Sequence, residues 1–164
     1  TASAAKALGA ALSASGKTLA VAESCSGGLL GGAITSVPGS SRYFSGGVVT
    51  YGNSAKVSIL GVPPDLIAAR GAVSREVALS MAEGVLSLFR ADLAIAVTGV
   101  AGPGGGSRGK PAGTVWVAVV APGEVRVAHR FRFPGGREAV RRETVTASLG
   151  AAIDVLRSEA AEGE

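Results

Sequence analysis

The sequence predicts an α/β fold: a three-layer α/β/α sandwich with a mixed sheet, formed as one domain over residues 1–164. Three observations carry this. Segments of helical periodicity alternate with short apolar runs, the pattern of helices laid on a sheet. A Pro122-Gly123 turn joins two of the apolar runs directly, which makes the sheet mixed. Hydrophobic residues make up 47% of the chain and aromatics only 4%, so the core is built of Ala, Val, Leu and Ile, and that composition fits tight helix-on-sheet packing. A length of 164 residues is enough for one sizeable core.

The elements follow in order. Ala2 to Ala14 is Ala-rich and reads as a helix, ended by Ser15-Gly16. Thr18 to Ala22 is a buried strand. Ser24 to Val37 reads as a helix carrying Leu29, Leu30, Ala33, Ile34 and Val37 at helical spacing, and Pro38-Gly39 stops it. Tyr43 to Tyr51 is a strand bent at Gly46-Gly47. Asn53 is a good N-cap for a short helix from Ser54 to Leu60, and Pro63-Pro64-Asp65 opens another that closes near Gly71. Ser74 caps a helix to Arg90 with Val77, Met81, Val85 and Phe89 on one face. Leu93 to Val97 is a strand and Thr98 to Gly113 a Gly/Pro loop. Thr114 to Val120 and Glu124 to Phe133 form the hairpin, and Gly135-Gly136 lead into a last helix to about Ala160.

Composition narrows the function classes. The net charge of +4 suits an anionic small molecule, while the absence of a Lys/Arg block or of aromatics interleaved with basic residues argues against a nucleic-acid platform. One cysteine cannot form an internal disulfide, which favours a reducing, cytoplasmic setting. One Cys and one His are too few for a structural zinc site, and no metal or other cofactor is expected. No run approaches the ~20 apolar residues of a membrane helix, and no signal peptide is evident. The start at Thr1 rather than Met fits a trimmed chain or a part of a longer one. A homo-oligomer is compatible with all of this.

Two phosphate-loop lookalikes fail on context. Ala11 to Thr18 follows a helix and opens a strand, the reverse of what a phosphate-binding loop needs, and Gly104 to Lys110 is followed by Pro111 where a hydroxyl residue should stand. Ala22-Glu23-Ser24-Cys25-Ser26-Gly27-Gly28 is more informative. A strand ends, small polar residues turn and a helix begins, so a hydroxyl there lies beside free backbone N–H groups and the positive end of a helix dipole. The plainer reading is that Ser24 or Ser26 only caps the helix.

A nucleophilic serine needs a base. His129, the single histidine, shares a strand face with Val127 and Phe131 and reads as a packed or edge residue. Lysine is what remains. Thr50-Tyr51-Gly52-Asn53-Ser54-Ala55-Lys56 runs from a strand end into a helix, so Tyr51 and Lys56 can both face the strand-end crevice where open α/β sheets bind ligands. A lysine base needs its pKa lowered by burial or a nearby cation. A surface lysine on a short helix is the alternative. The stretch Val97 to Ser107 begins at another strand end. Its N–H groups, including those of Gly104 and Gly105, can cradle an anion, and Arg137 at a helix start can add a bidentate charge. The alternative is a flexible loop and a solvated arginine. Cys25 could serve as nucleophile in place of Ser24, although a small buried cysteine is the commoner case.

In order along the chain, Ala22 to Gly28, Val49 to Lys56, Gly71 to Ser74, Thr98 to Gly105, Lys110 to Trp116, and Gly136-Arg137 with Arg141-Arg142 resemble the C-terminal domain of the CinA (competence-damage-inducible) family. The likeness covers nearly the whole chain. It implies an α/β/α fold and, as in stand-alone members, a nicotinamide-nucleotide amidase. By motif, the resemblance implies that Ser24 is the nucleophile, with Lys56 and Tyr51 as its partners and Thr98 and Arg137 at substrate-binding positions. The expected substrate is nicotinamide mononucleotide, a small-molecule nucleotide, with neither nucleic acid nor membrane as partner. The residue types then suggest the rest: N–H groups from Ser26 through Gly27 to Gly28 hold the oxyanion, and the loop from Thr98 and Gly99 to Gly104 and Gly105, with Arg137, binds the substrate. Many family members carry an N-terminal nucleotide-processing domain, so this chain is expected to be a stand-alone amidase or an excised C-terminal half. Two other readings stay open: a non-catalytic nucleotide-binding or interaction module linked to competence or DNA repair, and an amidase for another small amide.

Overall fold

The computed structural model describes residues 1–163. Five strands form one sheet in the order β2-β1-β3-β4-β5, where β1 is Leu19–Glu23, β2 Phe44–Val49, β3 Leu93–Gly99, β4 Thr114–Val120 and β5 Arg126–Arg132. β2, β1 and β3 run parallel, while β4 and β5 add antiparallel, so the sheet is mixed as expected. Six helices flank it: α1 (Ala2–Ser15), α2 (Leu29–Thr35), α3 (Asn53–Leu60), α4 (Pro64–Arg70), α5 (Arg75–Phe89) and α6 (Arg137–Glu162). None of them is long and apolar enough to cross a membrane.

Strand alternation divides the core into two unlike halves. Leu19, Val21, Leu93, Ile95, Val97, Val115, Val117 and Val119 point to the face covered by α1, α2 and α6. Ala20, Ala22, Ala94, Ala96 and Ala118 point to the other, where α5 lies. The alanine face lets α5 approach closely with Val77, Ala78, Met81, Ala82 and Val85 buried against it. Ser74 caps α5 by accepting from the Val77 N–H at 3.2 Å, as its sequence position suggests. Where α5 crosses α3 the two backbones nearly touch, and a Cβ on Gly84 would lie 2.1 Å from the Leu60 carbonyl oxygen. Gly84→Ala is therefore expected to destabilise the fold by about 1–3 kcal/mol, even though alanine favours a helix interior by about 1 kcal/mol over glycine. A urea-unfolding midpoint measures it, and a stabilised variant would contradict the close crossing.

Most ends shift by one or two residues, and three differences from the sequence reading bear on the site. Residues 24–28 form turns instead of the first part of a helix, because Gly27 and Gly28 adopt φ of 58° and 101° and α2 begins only at Leu29. Thr98 and Gly99 belong to β3 and not to the loop, since they pair with Trp116 and Val115 of β4. Asn53 is the first residue of α3 and makes no side-chain cap, and Gly52 occupies the N-cap.

Candidate active site

The site forms where β1, β2 and β3 end together. The Thr50 N–H donates to the Glu23 carbonyl at 2.8 Å, which ties the end of β2 to the end of β1. Glu23 is 2% exposed, and its side chain folds back over the start of α2. One carboxylate oxygen accepts from the N–H groups of Gly28 (3.1 Å) and Leu30 (2.9 Å), and the other from Gly31 (2.9 Å). A buried carboxylate at a helix start satisfies orphan N–H groups and sits at the positive end of the dipole. It also uses up the Gly28 N–H that the sequence reading assigned to an oxyanion. The Gly27 N–H is taken too, by the Ser24 carbonyl at 3.0 Å. The N–H groups of Ser24, Cys25 and Ser26 in this turn find no acceptor among the described residues, and those of Cys25 and Ser26 follow the Ser24 side chain directly.

Lys56 reaches this turn from α3. Among the described residues it is the largest fully buried side chain, 1% exposed, and no carboxylate pairs with it. Its Nζ lies 2.8 Å from the Thr50 carbonyl oxygen, 3.1 Å from that of Tyr51 and 3.2 Å from Ser24 Oγ. Loss of solvation lowers its pKa from the ordinary 10.5. A neutral amine has hydrogens for both carbonyls and one lone pair left over, and the atom facing that lone pair is the Ser24 hydroxyl. Cys25, beside Ser24, is the weaker candidate nucleophile: burial pushes its thiol up to about 11, against the thiolate a nucleophilic cysteine needs.

Tyr51 is placed differently from the sequence reading. Its carbonyl, not its phenol, meets Lys56, and the exposed ring swings to Arg137, whose Nη2 donates to the phenol oxygen at 2.9 Å. Arg137 Nη1 donates to the Gly102 carbonyl at 2.8 Å, which binds Tyr51, the Gly-rich loop and the start of α6 into one rim. Gly104 and Gly105 lie exposed further along that loop. Thr98 is buried, and its hydroxyl donates to the Ala72 carbonyl at 2.8 Å, so it anchors the segment before α5 to the end of β3. Gly99 packs directly on the Ser24 turn, and a Cβ there would meet Cys25 Sγ at 3.0 Å. Ser26 is fully buried and its hydroxyl has no partner among the described residues. The structure thus joins Ser24 to Lys56, and Tyr51 to Arg137 and Gly102, as two neighbouring groups.

Glu23 and Arg141 carried no role in the sequence reading. Arg141, on α6, donates from Nε to the Cys25 carbonyl at 3.1 Å and from Nη2 to the Ser26 carbonyl at 3.3 Å. The available signal was a lone carboxylate directly before the small-residue turn, and an arginine one helical turn after Arg137. Open volume is a poor guide here. A groove of about 460 Å³ between α1 and α6 and another of about 330 Å³ beside α2 are lined by neither Ser24 nor Lys56.

Comparison with known proteins agrees with this architecture. Residues 1–156 match the family model described as the CinA C-terminal domain. A putative competence-damage inducible protein of Moorella thermoacetica is 52% identical over 141 residues, covering 86% of this chain and 34% of that protein. A CinA-like protein of Desulfotalea psychrophila is 51% identical over 150 residues, covering 92% and 35%. The chain therefore spans about a third of the length of the curated relatives it matches. Among solved structures, the competence/damage inducible protein CihA from Agrobacterium tumefaciens superposes with a TM-score of 0.92 at 42% identity, over 95% of this chain and 94% of that one. A CinA superfamily protein from Escherichia coli superposes with a TM-score of 0.87 at 36% identity, over 93% and 87%.

Proposed function

Because the chain belongs to the CinA C-terminal domain family, we propose that it is a cytoplasmic serine amidohydrolase that converts nicotinamide mononucleotide to nicotinic acid mononucleotide and ammonia. The observation that carries the chemistry is the buried Lys56 Nζ within hydrogen-bond distance of two carbonyls and of Ser24 Oγ; as a neutral amine it would put its two hydrogens on the carbonyls and its lone pair toward Ser24. The substrate comes from the motif resemblance to the stand-alone amidases of the family.

Lys56 takes the Ser24 proton as Oγ attacks the carboxamide carbon. The carbonyl oxygen becomes an oxyanion beside the free N–H groups of the Ser24 turn. The Lys56 ammonium returns its proton to the amide nitrogen, the C–N bond breaks and ammonia leaves. Water then attacks the acyl-enzyme, giving its proton to Lys56, and Ser24 is released with the acid product. No step calls for a metal or cofactor. Tyr51 and Arg137 stand at the rim. The guanidinium N–H groups not used by Gly102 and Tyr51 face the substrate phosphate, with the N–H groups of the loop at Gly104 and Gly105 beside them.

The direct experiment is ammonia release from nicotinamide mononucleotide, nicotinamide riboside, nicotinamide and simple amides. Release from none of them would favour a non-catalytic nucleotide-binding module, and release from an unphosphorylated amide a different amidase. A second measurement tests the rim. Arg137→Ala is expected to lower kcat/KM on the mononucleotide by about tenfold to a hundredfold, the worth of one charge-assisted contact. The riboside lacks the phosphate, so it should be poor with the parent enzyme and lose little more with the variant. Equal losses on both substrates would remove Arg137 from phosphate recognition.

A further inference from the structure

Arg137 and Arg141 stand one turn apart on α6 but do different things. Arg137 faces the rim, whereas Arg141 lies half-buried behind the Ser24 turn with both of its contacts on neutral carbonyls. It makes no ion pair among the described residues. Gly27 leaves it room, since a Cβ there would lie 2.9 Å from Arg141 Nη2.

Peptide planarity turns these contacts into a statement about donors. The C=O and N–H of one trans peptide point in opposite directions. The carbonyl of Ser24 is held by the Gly27 N–H, so the Cys25 N–H of the same peptide faces away from that bond. The carbonyl of Cys25 is held by Arg141 Nε, so the Ser26 N–H faces away from α6. The next peptide is occupied at both ends, by Arg141 on the Ser26 carbonyl and by the Ser24 carbonyl on the Gly27 N–H. The one after is occupied by Glu23. Two successive N–H groups directly after the nucleophile are thus left free, and the carbonyl of each one's own peptide is anchored.

We infer that Arg141 is a positioning residue, fixing the Ser26 peptide so that its N–H, with that of Cys25, forms the oxyanion hole for Ser24. The guanidinium also polarises that peptide, strengthening its N–H as a donor, and adds positive charge near the developing oxyanion. Lysine cannot make the same two-pronged contact. This rests on the serine-nucleophile reading, so the test separates the two. A fluorophosphonate probe phosphonylates an activated serine through an anionic transition state, displaces fluoride and needs no assumed substrate. Failure of the parent enzyme to label at Ser24 would overturn the nucleophile reading and this inference with it. Given labelling of the parent, Arg141→Ala should slow it by about a hundredfold or more, the scale of a lost oxyanion donor, and Arg141→Lys should recover only part of the rate. In ammonia release, kcat should fall with KM nearly unchanged, the opposite of Arg137→Ala, and added guanidinium should restore activity to Arg141→Ala. Arg141→Gln, which keeps a neutral donor, serves the same comparison should the alanine variant unfold. Labelling of the folded alanine or glutamine variant at the parental rate, or a loss confined to KM, overturns the inference.

Discussion

Ser24→Ala is expected to lose ammonia release by a factor on the order of 10⁴–10⁶, the scale seen when the nucleophile of a catalytic group acting as a unit is deleted. The structure predicts that this loss comes without unfolding. Among the described residues the Ser24 hydroxyl hydrogen-bonds only with Lys56, and Lys56 Nζ keeps both carbonyls of Thr50 and Tyr51 when it goes. Removing one such bond costs about 1 kcal/mol, so the melting temperature should move by a few degrees at most. Cys25→Ala is the control. Its thiol is 4% exposed and held in the protonated form, so most activity should survive. A dead Cys25→Ala beside an active Ser24→Ala would reverse the assignment of the nucleophile.

The fold was legible where local rules decide it. The Ser74 cap, the Gly16 helix end and the Pro122-Gly123 hairpin all stand where residue chemistry puts them. What was not legible depends on unusual local geometry or on distant partners. The start of α2 moved from Ser24 to Leu29 because Gly27 and Gly28 take positive φ and the Glu23 carboxylate caps the helix from the strand behind, whereas a capping acid normally follows the N-cap within the first helical turn. β3 continues through Thr98 and Gly99 because β4 supplies partners there, which no window on residues 93–99 contains. The same holds in the site. That Ser24 and Lys56 belong to one crevice follows from two strand-end motifs. That the Tyr51 phenol meets Arg137, 86 positions away, and that Arg141 holds the Cys25 carbonyl across 116, follows only from α6 lying over the ends of the strands. Side chains that act through their local backbone could be read, and side chains positioned by another layer could not.

Lys56→Arg and Lys56→Met are each expected to lower ammonia release by about 10²–10⁴-fold, the contribution of a positioned base. Arginine keeps a cation at this position but has no lone pair at any working pH, and a side chain that is 1% exposed leaves its larger head no room. Methionine fills similar space and removes the amine. The parent enzyme supplies the positive evidence through pH. Only the neutral amine can accept the Ser24 proton, so kcat/KM should rise with pH and level off above the Lys56 pKa, which burial holds below 10.5. Stability reports the same group independently. In the unfolded chain Lys56 titrates near 10.5, and in the folded chain it titrates lower. Between the two values the unfolded state binds more protons, so the stability of the parent relative to Lys56→Met must rise with pH across that window. Below the folded value the buried ammonium carries its full desolvation penalty, and above 10.5 both states are neutral and the difference is constant. The rate profile therefore levels off, and the stability difference begins to rise, at one shared pKa. A rate that is flat from neutral to alkaline pH would take Lys56 out of the role of base, and a stability difference that ignores pH would show that its amine is not desolvated.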